Sequence, residues 1–231
     1  MKRSASPARL IPAVVAALLA VSGANAEAAV KWGISGFTGY QGYSMDEINS
    51  QIIEINDFLS QPGYLVQIDE LNGDASFGAG VKADVNPSWR VYAEYEHLSD
   101  NTGAGNEIGS FKIDVDSESF LVGATYFLPS TGKARVGFGA GAGYYDFGGE
   151  IVTSGTVGTT PISNSGSASG STIGFHGRAD LDVAMSEKFH FDLALGYRSA
   201  SGELESNGTG TGIDLDWSGL MSRVGFTWFV K

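Results

Sequence analysis

Hydrophobic and polar positions alternate with a period of two along most of this chain. Arg90-Val91-Tyr92-Ala93-Glu94-Tyr95-Glu96 is one such run, Gly174 to Val183 a second and Phe189 to Arg198 a third. Successive side chains of a strand point to opposite faces, so each run predicts a strand with an aromatic-aliphatic face and a face of glycine and charge. Extended over the chain, the pattern predicts strands at roughly 29–38, 74–85, 89–98, 115–128, 133–147, 171–184, 188–200 and 213–230. Short connections centre on Pro87, on Ser130 to Gly132 and on Ser186. Long ones are expected at about 39–73, 99–114, 148–170 and 201–212, with the Ser/Gly/Thr run from Thr153 to Thr172 as a mobile surface loop.

The small residues decide which face is inside. From Ala134 one face reads Arg135, Gly137, Gly139, Gly141, Gly143; the other reads Ala134, Val136, Phe138, Ala140, Ala142, Tyr144. A soluble sandwich or lipocalin-like barrel buries its apolar face. A face of glycines and one arginine cannot be such a core, but it fits the crowded inside of a narrow barrel whose other face meets lipid. Phe77, Val91, Val122, Phe138, Phe175, Leu193 and Phe226 are then expected to face lipid. Trp32, Trp89, Phe189 and Trp228 fall near the short-turn ends, and Tyr95, Phe120, Tyr144, Phe175 and Tyr197 near the long-loop ends, as two aromatic belts require. The fold class is therefore all-β: an eight-stranded antiparallel transmembrane barrel with short periplasmic turns and long extracellular loops.

The inward face then carries charge. Its expected network is Lys82, Asp84, Arg90, Glu94, Arg178, Asp180, Asp182, His190 and Asp192, joined by Lys31, Glu96, Arg135, Arg198, Arg223 and His176. Buried charges must be paired. A turn at Asn86-Pro87-Ser88 predicts Asp84 opposite Arg90 and Lys82 diagonal to Glu94. A turn at Met185-Ser186-Glu187 predicts His190 opposite Asp182. Eight-stranded barrels are just wide enough for side chains, so these charges read as a filling network rather than a proton relay or ion path.

The N-terminus adds a targeting expectation. Met1-Lys2-Arg3, the apolar run Leu10 to Val21 and Gly23-Ala24-Asn25-Ala26 have the order of a cleaved secretory signal peptide over residues 1–26, leaving 27–231 as the barrel domain. That segment holds three of the 14 Lys and Arg and none of the 26 Asp and Glu, so the remainder carries 11 bases against 26 acids, a net charge of −15. Such a charge speaks against nucleic acid as a partner. There is no Cys, hence no disulfide framework. Because the inside nearly balances, the negative charge belongs to loops and rim.

One loop segment changes period. Ser44 and Glu47 have the spacing of a capping box, Met45, Ile48, Ile52, Ile55 and Leu59 recur at helical spacing, and Pro62-Gly63 stops the run. This helix in the 39–73 loop is expected to cap the barrel mouth, lie on the outer leaflet, dock a partner, or pack on its own loop with Tyr43, Tyr64, Leu65 and Val66. Asp114-Val115-Asp116 and Asp214-Leu215-Asp216 read as solvated carboxylates. His97, His176 and His190 lack ligand spacing, so no metal and no cofactor is expected.

The last strand carries a resemblance. Arg223, Gly225, Trp228 and Val230 form a polar residue, a glycine two later, then alternate apolar positions at the end. They resemble the assembly signal of small outer-membrane β-barrel families, the outer membrane protein X and W types and their porin-like relatives. The terminus Phe229-Val230-Lys231 departs from the usual final aromatic. The resemblance implies export to the bacterial outer membrane, contact with outer-membrane lipid and lipopolysaccharide, and handling by periplasmic chaperones and the barrel-assembly machinery. It implies no particular activity. His97-Leu98-Ser99 separately resembles the His-x-Ser pair that lipid A deacylases carry on their lipid-facing wall, with Glu107 or Glu118 as the orienting carboxylate. Asp100 stands where that family has Asn, and the pair lies in the second hairpin instead of the last. No catalytic residue is therefore assigned. The expected role is structural or surface interaction: membrane integrity, adhesion, or binding of an extracellular ligand through the loops. The alternatives are a narrow porin-like passage for small or apolar solutes and a lipid A deacylase-like enzyme.

Overall fold

A computed structural model of the chain describes residues 30–59, 67–105, 109–157, 160–206 and 208–230. The expected signal segment 1–26, the helix stop at Pro62-Gly63, the packing residues Tyr64 to Val66 and Glu107 lie outside them. The strands are β1 (Lys31–Gly42), β2 (Gly73–Asn86), β3 (Trp89–Gly105), β4 (Gly109–Phe127), β5 (Ala134–Val157), β6 (Thr160–Ala184), β7 (Phe189–Ser199), β8 (Ser201–Ser206), β9 (Thr209–Asp216) and β10 (Gly219–Val230), with one helix, α1 (Asp46–Leu59), between β1 and β2. Eight of the strands close a ring in the order β5-β4-β3-β2-β1-β10-β7-β6, completed by the β5–β6 pairing. Every pairing is antiparallel, and no described helix is long and apolar enough to cross a membrane.

The faces fall as the alternation requires. Phe77, Phe138, Phe175, Leu193 and Phe226 are exposed on the outer wall, and Val91 and Val122 are half-exposed there. Lys82, Arg90, Glu94, Arg178 and Asp182 are buried inside. Lys31, expected inside, is exposed at the short-turn rim. The belts form contacts of their own: Trp89 on Tyr126 (5.3 Å between ring centroids) and Phe189 on Trp228 (6.3 Å) at the short-turn end, Tyr95 on Phe120 (5.3 Å) toward the other. Glycine on the inner face of β5 makes room for residues opposite. A Cβ at Gly141 would come within 2.7 Å of the His176 ring.

Three of the four expected long loops are not loops. β3 and β4 pair out to Gly105↔Ser110, and β5 and β6 out to Val157↔Thr160. The Ser/Gly/Thr run expected to be a mobile loop is thus paired strand, with Thr153 opposite Asn164. The 201–212 connection forms most of the β8–β9 hairpin, which touches β6 at Ser169↔Glu205. Backbone pairing needs no lipid-facing side, so the ladder continues past the lipid zone. In β4 alternation persists there, with Phe111, Ile113 and Val115 facing the interior, while in the Ser/Gly/Thr run of β5 and β6 the pairing continues with little apolar alternation.

Candidate functional site: a filled barrel under an apolar lid

The lower barrel is filled by two stacked ionic clusters, each with three bases and three acids. Near the short turns Arg90 sits among Asp84 (2.6 Å), Asp182 (2.8 Å) and Asp192 (3.2 Å). Arg135 bridges Asp84 and Asp182 at 2.6 and 2.9 Å, and Lys82 reaches Asp192 at 3.1 Å. Asp84 and Arg90 are opposite in register, as the Asn86-Pro87-Ser88 turn demands. Lys82, placed diagonally to Glu94 by the same register, takes its ion pair from Asp192 across the lumen instead. Strand neighbours compete with residues from the facing wall, which no local pattern specifies.

His190 is also held in this cluster, with Nδ1 2.9 Å from Asp182. Its register differs from the expected one. His190 lies opposite Ala184, and Asp182 lies opposite Asp192. The turn spans five residues, not three: the Met185 and Ser186 amides both donate to the Phe189 carbonyl. The His190–Asp182 contact is therefore diagonal.

Above it, Arg178 binds Glu94 (2.9 Å) and Asp180 (3.1 Å), while Arg223 bridges Glu94 (3.0 Å) and Glu96 (2.9 Å). Arg198 lies 3.4 Å from Glu96, and its Nε donates to the Trp217 carbonyl at 2.9 Å. Thr125 donates to Asp180 at 2.8 Å, and Arg178 lies 3.8 Å above the Tyr92 ring. The Tyr92 hydroxyl and His176 Nε2 share a hydrogen bond of 2.7 Å. A cavity of about 20 Å³ bounded by Lys82, Glu94, Arg178, Asp192 and Arg223 remains between the clusters, room for about one water molecule.

Higher still the inner face changes character. Leu98, Ile113, Val115, Leu121, Tyr145 and Phe147 point inward and form one buried apolar cluster with Leu204, Leu215 and Trp217. The lid of this chamber is α1. Its Met45 flank, Ile48 and Ile52 join the cluster, and Ile55 packs against it, so the helix caps the mouth. Leu59 ends the helix. The capping box is not formed: Ser44 bonds to the Asp46 carboxylate, and Glu47 accepts the Asp214 amide of β9 at 2.6 Å.

The return segment 67–72 is bound to the helix by two asparagines seven residues apart, hence on one face. Asn49 accepts from the Leu71 amide (2.8 Å) and donates to its carbonyl (2.9 Å). Asn56 does the same with Ile68, at 2.8 Å each. Ile68 and Leu71 are thereby driven into the cluster. Tyr43 stacks edge-on against Trp217 (5.0 Å) and donates to Asp100 at 2.6 Å. Burial pushes the Tyr43 phenol up and, as its largest cause, raises the Asp100 carboxyl. Sequence reasoning found the helix but missed the two asparagines and the inward apolar residues; the i, i+7 spacing of Asn49 and Asn56 on the buried side was the available signal.

The catalytic candidates are not assembled. His97 and Ser99 face outward, and the His97 ring packs on Phe77 with centroids 5.0 Å apart. Glu118 is opposite His97 in register, yet no His97–carboxylate pair lies within 4.0 Å among the described residues. Of the last-strand residues, Arg223 and Gly225 point inward and Trp228 and Val230 outward. No group of three or more potential ligands for a metal occurs among the described residues; Asp114 is bridged to Lys112 at 2.6 Å.

A closed eight-stranded ring with lipid-type aromatics outside and ion pairs inside defines a small outer-membrane β-barrel. Residues 11–220 match the family described as outer membrane protein beta-barrel domain, and the chain belongs to that family and to the bacterial outer membrane. A search of curated protein sequences finds no match. Among solved structures, Ail, the attachment invasion locus protein of Yersinia pestis, is 13% identical with a TM-score of 0.41, covering 87% of this chain and 97% of that one. A major outer membrane protein from Thermus thermophilus is 10% identical with a TM-score of 0.48, covering 88% and 100%. Acinetobacter baumannii CarO2 is 14% identical with a TM-score of 0.45, covering 85% and 98%.

Proposed function

We propose that this protein works by contact at the cell surface, not by conduction or hydrolysis. The observation that carries this reading is the contrast along the barrel axis. Below, the lumen is filled by paired charges and closed by an apolar lid. Above the belt, β-structure continues: β5 runs 13 residues beyond Tyr144, roughly 40 Å of strand. One edge of that projection is open. From Thr160 to Ala168, β6 pairs with β5 alone among the described residues. An unpaired strand edge offers backbone donors and acceptors to an extended segment of another protein. Partners follow: lipid and lipopolysaccharide around the wall, an extracellular protein at the projection, and the assembly machinery at Arg223, Gly225, Trp228 and Val230 after removal of residues 1–26.

The test has two arms. Cells displaying the protein should adhere to protein-coated surfaces better than cells displaying a variant in which residues 149–168 are replaced by a tight turn; equal adhesion would remove the contact role. In planar bilayers the purified protein should give no stable openings of general-porin size, and lipid A from the same cells should keep its acyl chains. Wide openings would support passage, and acyl loss abolished by His97→Ala and by Ser99→Ala would make the protein an enzyme.

A further inference from the structure

The lid and the rim it closes on carry the same charge. Asp46, Glu47, Glu54 and Asp57 on α1 and Asp69 and Glu70 on the return segment give the described lid six acids and no base. Facing it are Asp74 at the start of β2, Asp100 on β3, and Asp214 and Asp216 on β9. Lys112 is the one Lys or Arg among all residues from 83 up to 133 that lies above the ionic clusters, and Asp114 already occupies it at 2.6 Å. Glu47 is held against β9 by the Asp214 amide, which brings its carboxylate beside the residue that carries another. Asp74 acts in the same sense on Asp100 at the opposite seam.

Against this repulsion stand apolar burial and a few hydrogen bonds. Met45 and Ile52 are fully buried, and burying such a side chain stabilises by about 1.5–3 kcal/mol. Tyr43 to Asp100 and Thr102 to the Asp69 carbonyl (2.7 Å) add polar tethers. We infer that α1 and segment 67–72 form an electrostatically opposed gate, in which apolar packing closes the chamber against like-charge repulsion and ionic strength sets how often it opens.

The physical basis is screening. The Debye length is about 10 Å at 0.1 M salt and about 30 Å at 0.01 M. At low salt each lid carboxylate feels the whole acidic rim; at high salt it feels only its nearest neighbours. The ionic floor responds differently, because its charges are buried, paired and little screened. Dilution therefore lifts the lid from the apolar cluster and leaves the ionic floor shut.

The chain has no cysteine, so a single introduced thiol reports without background. Val115→Cys lies on the chamber wall and Ala194→Cys in the floor, both buried. The full protein in vesicles is treated with a membrane-impermeant thiol reagent. Labelling at Val115→Cys should rise about tenfold between about 0.5 M and about 0.01 M salt, while Ala194→Cys stays protected. Combining Asp46→Asn, Glu47→Gln, Glu54→Gln, Asp57→Asn, Asp69→Asn and Glu70→Gln should abolish the rise. Leu215→Cys replaces Val115→Cys if the latter does not fold. A salt-independent rate, an equal rise at Ala194→Cys, or a salt effect that survives lid neutralisation would each overturn the gate.

Discussion

The two halves of the barrel interior solve the same packing problem with opposite chemistry. On β5 the inner face runs Gly137, Gly139, Gly141, Gly143 and then switches to Tyr145 and Phe147. On β3 it runs Arg90, Tyr92, Glu94, Glu96 and then Leu98. Below the switch, long charged side chains from one wall cross a narrow lumen and use the space that glycine leaves on the other. Above it, a helix enters from the top and supplies an apolar surface, so the walls can be apolar too. The difference separates two kinds of stability. The ionic floor is closed by the ring itself, whereas the apolar chamber depends on a segment that, among the described residues, is tethered at its ends and through side chains.

Breaking the floor should have the largest effect. Arg90→Ala removes the one base that touches Asp84, Asp182 and Asp192 together. Leaving three largely buried acids to share Arg135 and Lys82 should cost up to about 3–5 kcal/mol of global stability, read from denaturant unfolding in vesicles. A double-mutant cycle with Asp84→Ala should show coupling, and its absence would detach that pair from the network. Thinning the lid should act locally. Ile52→Ala should cost the closed lid about 2–4 kcal/mol. Amide exchange of α1 and segment 67–72 should accelerate while exchange in β7 and β10 stays slow. If the floor loosened equally, the two halves would be one cooperative unit.

The smallest effect belongs to the latch. Tyr43→Phe deletes the hydrogen bond to Asp100 and should weaken lid closure by about 1 kcal/mol. Its pH dependence has a defined sign. Burial first, and then Asp74, hold the Asp100 carboxyl above its ordinary value when the lid is closed, against the opposing bonds from Tyr43 and the Asn101 amide. The closed state therefore takes up a proton more readily than the open one. Closure should strengthen as pH falls toward the carboxylate range and weaken above it, and Asp100→Asn should flatten that profile in the same exchange measurement.

The strands that meet lipid were legible because lipid imposes a period. Phe138 outward and Gly137 inward follow from alternation alone, and so does the Asp84–Arg90 pair, since one short turn fixes its register. The helix was legible because Met45, Ile48 and Ile52 keep a different period. The extensions of β5 and β6 were not legible, because the Ser/Gly/Thr run carries little alternation. In β4, Phe111 and Ile113 do alternate with Lys112 and Asp114, but their apolar face meets the cluster under α1 and not lipid. His190 was misplaced in register by a turn two residues longer than its sequence suggested.

Composition and alternation determined the barrel, its inside and outside, its charge balance and the presence of a helix in the first loop, because each is a local consequence of residue type and spacing. Only the tertiary structure decided that Lys82 pairs with Asp192, that Asn49 and Asn56 clasp Leu71 and Ile68, and that Leu98, Val115 and Phe147 line a chamber under α1. Those contacts join residues far apart in the chain across a closed ring. Ring closure brings the facing walls together, and no pattern along a single strand encodes which residues it will make neighbours.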